Sequence, residues 1–193
     1  MSDETKKPTK KRGGWSAVRR QLNAFDKPAL LALVKDLYDF GAENRDFIQA
    51  RCQAPDSGGD VLEAYRKRIV EQFFSKRADG TGPLKLGVAR KAIRDYRKAT
   101  GNLSGTAELL MTYVESGAEF TNNYGYADER FFNSLESALE ELAGLLHGYA
   151  QQMYPQFSER LARVEQMTEG IGWGFGDFVA DVIWQLEEEL ALP

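Results

Sequence analysis

The stretch FDKPALLALVKDLYDFG, residues 25–41, carries the pattern on which the fold depends. Asp26 is a good helix N-cap, and Pro28 follows in the first turn, where its missing N–H costs little. Leu30, Leu33, Val34, Leu37 and Tyr38 then recur at helical spacing, so they share one face. Gly41 reads as the stop. The spacing predicts an amphipathic helix whose apolar stripe needs a neighbour.

The same reading extends outward in both directions. Trp15, Val18 and Leu22 share a helical face, which predicts a short leading helix from about Ser16. Residues 1–14 are basic, contain Pro8, Gly13 and Gly14, and lack apolar periodicity, so they read as a disordered tail. Downstream, helices are predicted over 43–53 (Phe47, Ile48), 60–77 (Leu62, Tyr65, Ile69, Phe73) and 86–99 (Leu86, Ala89, Ile93, Tyr96). Others follow over 104–121, 127–147 (Phe131, Leu135, Ala138, Leu142, Leu145) and 155–168. A last one comes after GIGWGFG (Phe178, Val182, Ile183, Leu186, Leu190). No stretch alternates long enough to be a strand, and the connections are short. The expectation is an all-α protein: a tail over 1–14, then a single compact domain of seven or eight antiparallel-packed helices over 15–193.

Composition narrows the chemistry. The chain has 193 residues with one cysteine, Cys52, and one histidine, His147. One chain therefore builds no internal disulfide, no thiolate cluster and no two-histidine metal site. The N-terminal segment lacks the apolar core of a secretory signal, and no run approaches the ~18 apolar residues of a membrane span. A cytoplasmic protein without a membrane segment is expected. Charge is strongly polarised. Residues 1–100 hold 22 Lys+Arg against 13 Asp+Glu, whereas residues 101–193 hold 3 against 16. Either the basic half meets an anionic partner, or the two halves face and neutralise each other.

Candidate sites follow from that polarity. Glu115 and Glu119 lie one turn apart in YVESGAEFTNNYG, on the side opposite Leu110, Val114 and Gly117. A catalytic or metal-binding pair needs an enclosed pocket; a solvated face, or a basic helix opposite, suits this placement better. Arg90, Arg94, Arg97 and Lys98 form a basic stripe opposite Leu86, Ala89, Ile93 and Tyr96, suited to an anion or a partner surface. GIGWGFGDF lacks the glycine spacing of a dinucleotide loop and the Gly-Lys-Ser/Thr of a phosphate loop. Its glycines instead let Trp173 and Phe175 reach inward or border a groove with Asn122, Asn123 and the two glutamates. Asp177 is the expected N-cap of the last helix, and His147 sits at a helix C-terminus, where the dipole favours its charge.

Four segments in order, LNAFDKPALLALVKDLYDFGAENRDFI, ARKAIRDYRKATG, YVESGAEFTNNYGYADERFFNSLESAL and GWGFGDF, resemble a bacterial family of unknown function numbered 6155. The resemblance spans about residues 20–185 and implies an all-helical cytoplasmic bacterial protein. It supplies no substrate, cofactor or functional residue.

The functional expectation is a noncatalytic protein-interaction module whose groove lies between the 122–126 turn and the 170–176 loop. A nucleic-acid-associated protein using the tail and the basic stripe is the alternative. A carboxylate enzyme or metal site built on Glu115 and Glu119 ranks third. No catalytic, cofactor-binding or metal-ligating residue is assigned, and no cofactor is expected.

Overall fold

The computed structural model describes residues 14–52, 58–74, 84–125, 128–172 and 174–189. The N-terminal tail and Trp173 lie outside them. All regular structure among the described residues is helical, in nine helices, one or two more than the sequence pattern suggested. They are α1 (Trp15–Leu22), α2 (Lys27–Phe40), α3 (Ala42–Cys52), α4 (Gly58–Phe73), α5 (Leu86–Thr100), α6 (Leu103–Tyr124), α7 (Glu129–Gly148), α8 (Ala150–Thr168) and α9 (Phe175–Glu189). The chain divides into two compact units, Met1–Arg45 and Asp46–Pro193.

In the first unit the N-cap forms as read: Asp26 Oδ1 accepts from the Ala29 N–H at 2.8 Å, with the proline in the first turn. The start of α3 folds back on α2 locally. Asn44 Nδ2 donates to the Leu37 carbonyl at 2.9 Å, and the Arg45 guanidinium lies 5.4 Å from the centre of the Tyr38 ring. No side chain of α1 or α2 is buried.

The second unit is organised around α6, which packs against α4, α5, α7 and α8. The helix carries small or apolar residues on almost every side, the composition of a helix enclosed by neighbours rather than laid on a surface. Fourteen of its residues are buried. Its buried threonines satisfy themselves within the helix: Thr106, Thr112 and Thr121 hydroxyls donate to the carbonyls of Asn102, Glu108 and Gly117 at 2.7, 2.8 and 3.0 Å. Close approach is made by glycine. A Cβ on Gly117 would lie 2.3 Å from Leu135 of α7, and one on Gly105 would lie 2.1 Å from the Tyr96 hydroxyl of α5. Edge-to-face rings fill the centre, with Phe73 at 5.1 Å from Tyr113 and Phe131 at 5.4 Å from Phe132.

Three local expectations shift. The helix expected from 104 begins at Leu103, capped by Asn102, which accepts from the Gly105 N–H at 2.9 Å. The helix continues to Tyr124 and stops at Gly125, whose φ of 62° is left-handed, so Asn122 and Asn123 belong to its last turn rather than to a following loop. The eighth helix begins at Ala150 and carries Pro155 inside it.

Candidate functional site

The predicted basic stripe exists on α5, but half of it is engaged. Ala89, Ile93 and Tyr96 are buried on one side. On the other, Arg90 Nη2 and Arg97 Nη1 grip the two oxygens of Glu141 on α7 at 3.0 and 3.3 Å. Arg90 also lies 5.7 Å from the Tyr113 ring centre, and its Nη1 is buried with no hydrogen-bond partner among the described residues. Arg94 and Lys98 are exposed, and neither side chain has an ion-pair partner among the described residues. The acidic half therefore faces part of the basic half, and Arg94 and Lys98 are what remains for an outside anion.

Glu115 has a different partner from the one the stripe suggested. Arg160 of α8 donates from Nε and Nη2 to its two oxygens at 2.8 and 2.6 Å, and from Nη1 to Glu108 at 2.8 Å. Glu108 precedes Glu115 by two helical turns on the same face of α6, which brings both carboxylates to one guanidinium. Arg66 Nη2 of α4 also reaches Glu108, at 3.3 Å. Its Nε lies 3.2 Å from Glu63 without hydrogen-bond alignment. The hydrogen bonds from Glu115, and then Glu108, hold the Arg160 proton more tightly than in water, outweighing burial. A carboxylate with both oxygens committed to a guanidinium is not placed as a general base. Glu119, one turn on, is exposed and does not join it.

Of the residues expected around a groove between the 122–126 turn and the 170–176 loop, the described ones take separate roles, and residue 126 and Trp173 lie outside the described residues. Asn122 Nδ2 donates to the Met167 carbonyl at 2.9 Å, tying off an open carbonyl in the last turn of α8. Asn123 is exposed. Phe175 is fully buried with its ring 5.1 Å from Phe132, so it belongs to the core and not to a groove wall. Asp177 lies in the first turn of α9 rather than at its cap, where its charge still suits the dipole. An open depression of about 540 Å³ does border the loop, lined by Glu165, Glu169, Gly170, Ile171 and Asp177; it takes Gly170 and Ile171 from the expected loop but none of the 122–126 turn. His147 occupies the last turn of α7, and its Nδ1 lies 2.9 Å from Glu189.

The stripe of α2 was expected to pack into a common interior. Within the first unit, Leu33 and Tyr38 of that stripe are half-buried, whereas Leu30, Val34 and Leu37 remain 37%, 42% and 47% exposed; beside them Leu31 is 58% and Phe40 86% exposed. Periodicity identifies the face but carries no information about what covers it.

Among the described residues no group of three or more His, Cys, Asp or Glu could hold a metal, and no helix is long and apolar enough to cross a membrane. No family model matches the chain, and neither a curated protein nor a solved structure matches it. The likeness to the family numbered 6155 stands on the sequence segments alone.

Proposed function

We propose that the protein is a noncatalytic helical interaction module that receives an apolar helix of a partner protein on the stripe of α2. The uncovered row Leu30, Leu31, Val34 and Leu37 carries this reading. Contiguous exposed apolar surface beyond a few hundred Å² is unusual for a monomer and marks a binding face. Leu30, Val34 and Leu37 stand at i, i+4 and i+7, spacings used by the anchors when helices dock along a groove or stripe, and Leu31 widens the face. Lys35 and Asp39, at the edge of the stripe, pair with each other, so the rim is locally neutral and selection rests on apolar shape. Cys52 is exposed and free, in keeping with the reducing cytoplasm.

The test is photo-cross-linking from a benzophenone side chain at Leu31 in the source cells. The capture of one protein, which after purification binds saturably and at least about tenfold more weakly to Leu31→Asp/Leu37→Asp, is the expected result. Cross-links to nucleic acid alone, or a purified partner indifferent to those substitutions, would overturn the reading.

A further inference from the structure

We propose that the groove between α7 and α9 docks a second kind of partner, a lysine- or arginine-rich amphipathic helix. The groove encloses about 550 Å³. Its inner wall is apolar: Ala143, Phe178 and Val182 are half-buried and Leu186 is buried. Its rim is acidic. Glu140 of α7 and Asp181 of α9 are exposed on opposite sides, and neither has an ion-pair partner among the described residues. Glu189, joined to His147 at 2.9 Å, closes one end. No lysine or arginine among the described residues lines the groove, and α9 itself carries Asp177, Asp181, Glu187, Glu188 and Glu189 with no cation.

That combination selects its occupant. Acidic peptides, phosphopeptides and nucleic acid are repelled by the rim. A polar basic segment would satisfy the rim and leave the apolar wall wet. A helix with apolar residues at i, i+4 and i+7 and cations on its flanks satisfies both. Glu140 to His147 spans two turns of α7, about 10.5 Å, the length that an i to i+7 stripe covers. Gly144 sits midway on that span, and a Cβ added to it meets nothing within 4 Å. The missing side chain leaves a notch in the wall for an incoming apolar group. This surface shares no residue with the α2 stripe and does not depend on it.

The probe is the labelled peptide LKKLLKLLKKLLKL, titrated with the full chain and followed by fluorescence anisotropy. Saturable one-to-one binding is expected, weakening as salt rises from about 50 to about 300 mM. Glu140→Lys/Asp181→Lys should weaken it tenfold or more. Gly144→Leu, which fills the notch, should do the same with helicity and melting temperature retained. Glu119→Lys/Glu159→Lys, at exposed acids elsewhere, and Leu31→Asp/Leu37→Asp should each leave the affinity within twofold. Equal binding by all variants overturns the proposal, as does equal loss in the Glu119→Lys/Glu159→Lys control. So does equal binding of a peptide of the same composition with its leucines scattered. A homodimer that Gly144→Leu dissociates would also overturn it, by assigning the groove to a second copy.

Discussion

Replacing Arg160 with methionine removes the cation that bridges Glu108 and Glu115, leaving Glu108 the longer bond from Arg66 at 3.3 Å. The guanidinium makes three charge-assisted hydrogen bonds, at 2.8, 2.8 and 2.6 Å. The side chains of all three residues are 22–26% exposed. Removing one member of a buried pair costs about 3–5 kcal/mol. Partial exposure lets water resolvate the abandoned carboxylates, which brings the expected loss to about 2–4 kcal/mol. For a chain of this size that corresponds to a melting temperature lower by about 4–16 °C. Urea unfolding followed by circular dichroism at 222 nm reads the same loss. Glu115→Gln keeps the Glu108 bond and one neutral acceptor, so about 1–2 kcal/mol is expected. In Arg160→Met/Glu115→Gln the second change no longer breaks a bond, and the sum of the single losses should exceed the double by about 1 kcal/mol or more. A loss under about 1 kcal/mol for Arg160→Met, with additive behaviour, would be that of a solvated surface pair. It would refute the argument that Arg160 occupies these carboxylates and would return Glu115 to consideration as a chemical group.

Three further outcomes check separate parts of the structure. Gly176→Ala places a Cβ 2.5 Å from the Thr168 carbonyl oxygen, a backbone atom that cannot step aside, and should cost about 1–3 kcal/mol. Gly144→Ala, with open space around it, should instead gain up to about 1 kcal/mol of helix propensity; similar thermal shifts for the two would contradict the packing. Glu141→Lys sets a third cation against Arg90 and Arg97 and should cost about 1–3 kcal/mol in urea. Part of that loss should return in Glu141→Lys/Arg97→Glu, while Arg94→Glu should stay within about 0.5 kcal/mol of the parent. Burial raises the phenols of Tyr96, Tyr113 and Tyr154 above their ordinary value, the last with help from Glu187. Unfolded tyrosines release protons first as pH climbs through about 10, so stability is intact below that pH and falls above it. Tyrosinate absorbance from these three should appear together with the loss of helical signal, not before it.

Legibility from sequence followed the range of the forces involved. Local signals read correctly: the Asp26 cap and the apolar faces of α5 and α7. Each is decided within a few residues of chain. Side-chain pairing across helices was less legible. The acidic half was expected to meet the basic stripe, but nothing in the local pattern selects Glu141 among its carboxylates. Arg160 was missed, although a signal existed: it is one of three cations in residues 101–193, and it sits beside Phe157, Leu161 and Val164, all buried, so a half-buried arginine in acidic surroundings was to be expected. For Phe175 the inward of the two readings holds: its ring is fully buried against Phe132 at the start of α9, and the groove reading does not apply to it. The stripe of α2 was read correctly as a face, and within its own unit only Leu33 and Tyr38 of it are half-buried.

That stripe also allows the most direct test. In a Cys52→Ser background, single cysteines at Leu31, Val34 and Leu37 can be timed for reaction with a maleimide, beside a buried control at Ala138. An uncovered face predicts rates within about tenfold of a thiol in an unstructured peptide, with the Ala138→Cys thiol slower by orders of magnitude. Protection of all three α2 positions to the level of the Ala138→Cys control in the purified protein would mean that the face is already filled, and the docking account would fail with it.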